Sequence, residues 1–470
     1  MATITVGLLG LAIGSTYAIF TTSAEINNPI SLSTTLTSDD DVFDVIDIVI
    51  EPYDTITKTI KIVNSSNSTV NFAIWYLNNN SVDFGINGVP SGTLNVSSNE
   101  SRIVNIRNKT SNQITITIGV ASSKKSITLA DSMVIYPNQT LPENIINQQA
   151  AKYITNLYET STKTTVTNNS INYNYAISKS LMNDRKGSSS IGIDSGNIRY
   201  YGADPNNYVY FNCSTYPTTN CELWRIIGTF GDKIKIVRNE SIGKYSWDNK
   251  DKTTGAETNY GKNDWTDARL MKLLNPGYDN ESVGGSLYYN AKSGTCYVNQ
   301  NNATTACNFT STGIKNDTTK NIIAEVTYNT AGYNDATLYP NEIYTYERGS
   351  TVYSGRQTTW TGKIGLMYPS DYGYASDLTK CREKINNYNA STCSQNNWIH
   401  NMGSLWLLTH DSASSNRSWS INSSGNASVN GNGKGSTSNG LLVFPSLFLS
   451  SNVKIISGNG SINNPYQLGV

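Results

Sequence analysis

The stretch "IEPYDTITKTIKIVNSSNSTVNFAIWY" at residues 50–76 decides the class of fold. In TITKTIKI the apolar residues return at every second position, the period of a half-buried β-strand, which puts Ile56, Ile60 and Ile62 on one face and Thr and Lys on the other. A polar NSSNS turn follows, and then a second strand, "TVNFAIWYL" at 69–77. Working outward, "VIDIVIE" (45–51), "SRIVNIRN" (101–108), "QITITIGVAS" (113–122) and "DSMVIY" (131–136) repeat the pattern, separated by NNNS and INGVPSG. Short alternating strands with polar turns predict an antiparallel β-sandwich of about 100 residues, set at 25–138.

Composition agrees with a β-rich chain. Of the 470 residues, 35 are Lys or Arg and 35 Asp or Glu, so the formal charge is zero. The charged fraction of 15% lies below the roughly 25% usual for soluble domains, with Asn, Ser, Thr and 30 Tyr supplying polarity instead. No Lys/Arg cluster offers a phosphate-neutralising stripe, which argues against a nucleic-acid partner. The six cysteines fall into three local couples, Cys213/Cys221, Cys296/Cys307 and Cys381/Cys393. None forms C-x-x-C, and with only His400 and His410 in the chain no metal site is expected. Pairing within each couple predicts three disulfides, each closing a short loop and contributing on the order of 2 to 3 kcal/mol. An oxidising compartment follows.

Residues 1–24 carry a signal-like apolar segment. Val6 to Phe20 holds no charge, and "GSTYA" supplies small residues after it, with cleavage expected near Ala18. A spanning helix needs about 20 apolar residues, so a membrane contact is expected only through this segment if it stays uncleaved; a buried strand is the other reading. The run "LLGLAIGSTYAIFTTSA", then "ISLSTTL" and "IEPYDTITKTIKIVNSSNSTVNFAIWY", resembles the camelysin and biofilm-matrix fibre family of Gram-positive bacteria. That resemblance implies a secreted sandwich able to self-associate. The chain departs from it in having Tyr53 where the family usually carries Gly, and no basic residue before Lys58.

Beyond Pro137, Thr140 and Glu143 form a capping box around Pro142, and Ile146, Ala150, Tyr153, Ile154 and Leu157 share a helical face. Residues 139–195 are expected to be this helix and linker, with "TSTKTTVTNNS" (160–170) and "RKGSSSIGIDSG" (185–196) as polar connections. A second domain is expected over 196–470. Within it "LWRIIGTFGDKIKIV" reads as a hairpin turning at Gly231-Asp232, and "NDWTDARLMKLLNP" as a helix capped by Asn263 or Asp264 and stopped before Pro276. With "GKIGLMYPSDYGYA", "GSLWLLTHD", "RSWSINSSGNASVNG" and "LLVFPSLFLSSNVKI", these motifs resemble uncharacterised surface domains of gut Firmicutes that look like a divergent C-type-lectin or sulfatase-modifying-factor fold. The resemblance implies a lectin-like α+β domain. Thr409-His410 stands for the pattern's Ser-Pro and Phe444 for its Arg.

Catalytic patterns are missing. There is no G-x-S-x-G and no H-E-x-x-H, "GNGKGSTSNG" lacks the strand and helix of a phosphate cradle, and His410-Asp411 reads as a loop-exposed polar pair. The formylglycine-generating chemistry of one branch of the similar fold needs cysteines that bridges would consume. The calcium-site motifs of typical C-type lectins are absent too, "YSWDNKD" at 245–251 being a poor substitute. No enzymatic activity and no cofactor are therefore expected. Trp224, Trp265 and Trp406 sit in apolar runs and are assigned to the core, whereas Trp398 and Trp419 are expected to be exposed. A recognition surface is accordingly expected at Trp398, Asn401, Asn416, Arg417 and Trp419, where sugar rings could stack and amides bond hydroxyls. The expected function is that of a secreted or cell-surface adhesin-like protein binding an extracellular glycan or protein. The alternative is a structural subunit of a matrix fibre or pilus-like filament.

Overall fold

A computed structural model describes residues 42–135, except 51–54, 65–66, 78, 80, 111, 124–126 and 128–132, and residues 148–470, except 185–195 and 429–435. The signal-like segment, the Thr140/Glu143 capping box and most of "RKGSSSIGIDSG" lie outside the described residues. The chain divides into two compact units, 1–146 and 147–470, and is mainly β, with 40% strand and 14% helix.

In the first unit the described strands are β1 (Val42–Ile50), β2 (Thr55–Val63), β3 (Val70–Leu77), β4 (Val82–Asn87), β5 (Ser91–Leu94), β6 (Asn99–Asn108), β7 (Ile114–Ser123) and β8 (Met133–Ile135). The six strands expected from sequence are present. β4 and β5 come from "SVDFGINGVPSGTL", part of which was expected to be only a turn. Two antiparallel sheets form, β1-β7-β3-β5 with β8 on β3, and β2-β6-β4. Ile60, Ile62, Phe72, Ile74, Phe84, Val104, Ile106, Ile118 and their neighbours from both sheets make one buried cluster. Lys58 corrects the expected partition of β2. Its parity places it with Ile56, Ile60 and Ile62, and it is 8% exposed; its alkyl stem can join the apolar face while the amine reaches outward.

In the second unit, α1 (Ala150–Glu159) starts after Gln149, which gives no side-chain cap, and buries Ala150, Ala151, Ile154 and Tyr158. The expected linker at 160–170 is corrected: Thr164–Asn168 is a strand paired with Ile171–Ala176, and both belong to the main sheet. β-Branched Thr and Val outweighed a polar appearance. That nine-stranded sheet continues through Leu181–Asn183, Ile198–Tyr200, Glu222–Phe230, Lys233–Arg238, Ser446–Phe448 and Ile364–Gly365, with Tyr208–Phe211 on the Glu222–Phe230 strand. The expected hairpin is there, Phe230 pairing with Lys233 around Gly231-Asp232. Gly231 has φ 61°, a left-handed conformation that glycine takes at least cost. A second, five-stranded sheet runs Lys244–Ser246, Gly440–Leu442, Leu405–His410, Ser418–Ile421, Ala427–Ser428. The helix expected at 263–275 is broken in two, a 3-10 turn at Trp265–Asp267 capped by Asp264 and a helix at Arg269–Leu274, with Ala268 extended between them.

All three expected disulfides form, Cys213–Cys221, Cys296–Cys307 and Cys381–Cys393, and no cysteine is free. Under the main sheet lies a charged cluster invisible to pattern reading. Arg199 Nε donates to Asp184 Oδ2 at 2.6 Å and its Nη1 to Asp371 Oδ1 at 2.8 Å, and Lys235 Nζ reaches Asp371 Oδ2 at 2.5 Å. These side chains are 0 to 1% exposed. The Arg199 guanidinium also lies 4.8 Å from the Phe230 ring centroid and 4.9 Å from that of Tyr374. Burial opposes ionisation of Asp371, but the Lys235 ammonium and the Arg199 guanidinium overrule it and hold the carboxyl at about 2. The cluster ties two sheet strands to the Pro369–Tyr374 helix, a structural role.

Candidate functional site

The five residues expected to form one surface do not do so. Trp398 is 6% exposed and Trp419 0%, and both belong to one core cluster. The expectation that they are exposed is therefore corrected. Trp398 Nε1 donates to Tyr200 O at 3.2 Å, with the Arg225 guanidinium 4.7 Å over its ring. Trp419 Nε1 donates to Tyr333 O at 3.1 Å. Their polar neighbours in sequence misled; a buried indole satisfies its single N–H on a carbonyl and needs no solvent. Trp224, Trp265 and Trp406 are buried as expected. Asn401 is exposed, but it precedes the Leu405–His410 strand, while Asn416 and Arg417 follow it. At about 3.3 Å per residue that strand alone separates the two ends by roughly 17 Å.

The end that holds Asn416 and Arg417 is the better built. Three loops meet there, around 256–264, 410–417 and 436–439. Asn263, fully buried, is the hub. Its Nδ2 lies within hydrogen-bond reach of the carbonyls of Asp411, Ser414 and Arg417, at 2.9, 2.5 and 2.9 Å, and its backbone N–H donates to Ser415 O at 2.9 Å. Its Oδ1 accepts from Arg356 Nε at 3.1 Å. Arg356 Nη2 also donates to Ser415 O, and its Nη1 pairs with Glu257 at 2.9 Å. Sequence reasoning gave Asn263 a possible capping role, yet Asp264 caps the turn and leaves Asn263 free to fasten the opposite loop.

The third loop is fastened through main chain. Tyr260 O accepts from Ser438 N at 3.2 Å, Ser436 Oγ at 2.8 Å and Thr437 Oγ1 at 3.2 Å, while Thr437 N donates to Asn416 O at 2.8 Å. Gly261, at φ +91°, comes so near Asp248 O and Thr437 Oγ1 that a Cβ would collide with both. With the backbone thus held, Tyr260 is 46% exposed, and the 436–438 segment that bonds its carbonyl also meets the half-buried Asn416 and the exposed Arg417 through main chain. An exposed aromatic face can stack on a ring, and an amide and a guanidinium on a neighbouring loop can hydrogen-bond hydroxyl or carbonyl groups.

His410 and Asp411 lie beneath these loops. The pair was expected to be loop-exposed; instead the residues are 2% and 3% exposed, His410 ending a strand inside the five-stranded sheet. His410 Nε2 is buried without a hydrogen-bond partner. Burial, and then the nearby Arg356 charge, push its pKa down to about 4. Asp411 Oδ1 accepts from Ala413 N at 2.8 Å, and among the described contacts no hydrogen bond joins it to His410.

No family model matches this chain, and no curated protein or solved structure is significantly similar to it. The fold class is thus defined by the molecule itself, a mainly β chain with antiparallel sheets and three disulfides. Such bridges fit an oxidising, extracellular environment. No helix among the described residues is long and apolar enough to cross a membrane, and no group of three or more His, Cys, Asp or Glu among them could hold a metal ion.

Proposed function

We propose that this chain is a secreted or cell-surface binding protein, adhesin-like, which recognises an extracellular glycan or protein through the loops around Tyr260, Asn416 and Arg417. The first unit is read as a β-sandwich of the matrix-fibre type, supported by its two antiparallel sheets over one core. The second is read as a lectin-like α+β domain. One observation carries the binding role: Tyr260 is held 46% exposed on a backbone that three loops and the buried Asn263 fix in place, so little ordering entropy is lost when a ligand meets it. The test is binding of the full secreted chain to immobilised glycans and surface proteins, compared with Tyr260→Ala.

A second reading, self-association of the first unit into a fibre, is favoured by β1. Among the described residues β1 pairs only with β7, and Val49 on it is 55% exposed. An unpaired strand edge with an apolar outer residue is a template for strand addition from another copy. Electron microscopy of concentrated chain distinguishes the two: filaments that persist after Tyr260→Ala support the fibre, and dispersed particles do not.

A further inference from the structure

Tyr333 and Tyr346 are stacked face to face, their ring centroids 3.8 Å apart and their planes 15° from parallel. A hydrogen bond between the two hydroxyls sets both rings pointing the same way, and this bond, with burial, holds the Tyr346 pKa above its ordinary value. The carbons ortho to one hydroxyl therefore face those ortho to the other. The remaining described tyrosine pairs do not offer this. Tyr153–Tyr466, Tyr173–Tyr374, Tyr175–Tyr201 and Tyr344–Tyr374 meet edge to face at 72° to 82°, and Tyr372–Tyr388 is tilted at 53°. Each of those pairs has at least one ring in the core, whereas Tyr333 and Tyr346 are both half-buried at the margin of their cluster.

The main chain holds the pair from both sides. Tyr346 stands in the last turn of the Pro340–Glu347 helix, whose start is fixed by the Tyr339 N–H donating to Glu342 Oε2 at 2.8 Å. Tyr333 O accepts from Trp419 Nε1 at 3.1 Å, and the neighbouring Gly332 N–H donates to Thr351 O at 2.9 Å. Gly332 packs so near His410 O that a Cβ would collide with it. The two backbones thus return the rings to each other, while half-burial leaves the side chains room to close from stacking to bonding distance.

We propose that Tyr333 and Tyr346 form an oxidative cross-linking site, joined within one chain by a dityrosine bond when a peroxidase and hydrogen peroxide supply the oxidant. Each phenol gives up one electron and one proton, and the peroxide that takes up both pairs leaves as two waters. The unpaired electron of a phenoxyl radical spreads onto the ortho carbons. Two such carbons share their electrons in a new C–C bond; each then releases its hydrogen as a proton and each oxygen regains one, restoring both phenols. The net change is the loss of two hydrogen atoms. Because the partners are already in contact, coupling is a step within one molecule, favoured over any encounter between chains. A radical on the exposed Tyr260 has no stacked partner among the described residues. The three disulfides already fit an oxidising setting. The inference does not rest on the binding role of Tyr260.

Dilute full-length chain treated with a haem peroxidase and hydrogen peroxide tests it, the monomer fraction being read by dityrosine fluorescence and peptide mapping. The fluorescence appears on the monomer. Cleavage after Glu342 parts Tyr333 from Tyr346 in sequence, yet the two peptides stay joined under reducing conditions, two hydrogen atoms lighter than their sum. Fragmentation places the bond on these two residues. Tyr333→Phe and Tyr346→Phe keep a stacked ring without the phenol, and in each the monomer fluorescence falls to background. Tyr260→Phe forms the link as the unmodified chain does. A monomer without the link, a bond that maps to other tyrosines, or fluorescence that persists in either of the two Phe variants at 333 and 346 overturns the inference.

Discussion

Replacing His410 by Phe removes a protonation that the loop bed beneath Tyr260 disfavours. His410 ends the Leu405–His410 strand at 2% exposure, with Nε2 lacking a partner. The charged groups that act on it are Arg356, which disfavours a second positive charge, and Asp264, which favours it, while Asp411 is engaged with Ala413. Burial and Arg356 bring the folded-state pKa from 6.5 to about 4. Because the folded value is the lower one, the unfolded chain binds the extra proton between these limits. The neutral ring therefore contributes stability that is present above pH 6.5 and lost as the pH falls towards 4. Linkage gives a loss of about 2 kcal/mol between pH 7 and 4.5 from this residue alone. Guanidinium unfolding followed by tryptophan fluorescence reads it, since all tryptophans but Trp75 lie in the second unit. Wild type and His410→Phe should differ little in slope above pH 7 and diverge by about 2 kcal/mol at pH 4.5, the variant being the less acid-sensitive. Parallel pH profiles would refute the burial of a neutral, unpartnered histidine.

Asp371→Asn leaves Lys235 without its carboxylate inside the sheet and should cost about 3 to 5 kcal/mol in the same unfolding assay; a loss under about 1 kcal/mol would contradict the buried pairing. Since the Asp371 pKa is depressed from 3.8 to about 2, wild type should also lose about 2 kcal/mol as the pH falls from 4 to 2, a slope that Asp371→Asn lacks. Trp398→Ala and Trp419→Ala each empty a core position and should lower stability by about 3 to 5 kcal/mol; variants that melt like wild type would mean the indoles are not packed as described.

Local pattern was enough for the first unit, because a sheet with one wet face writes its register into alternate residues, as in Thr55–Val63. It failed at Lys58, where parity, not residue type, decides the face. In the second unit the main sheet is covered on both sides, so alternation vanishes: Lys235 sits between Ile234 and Ile236 and all three are buried. A lysine in such a run needs a carboxylate from elsewhere in the chain, and sequence does not say that it is Asp371, 136 residues away. The cysteine couples were legible because short spacing leaves few geometries. Of the expected surface, Asn416 and Arg417 stay on a loop that Asn263 fastens to the one carrying the exposed Tyr260, through contacts about 150 residues long in sequence. Trp398 and Trp419 were misjudged for the same reason: their neighbours are polar, their spatial surroundings are not.

The central claim is that the loops around Tyr260 bind an extracellular ligand. The most direct measurement presents the full chain, alongside Tyr260→Ala and Arg417→Ala, to an array of glycans and extracellular proteins, with melting curves taken on the same samples. A ligand bound by the unmodified chain and weakened by about 2 kcal/mol or more in Tyr260→Ala, with unchanged melting, is the predicted result. Binding that survives in both variants, or no ligand retained by the unmodified chain at all, would contradict it.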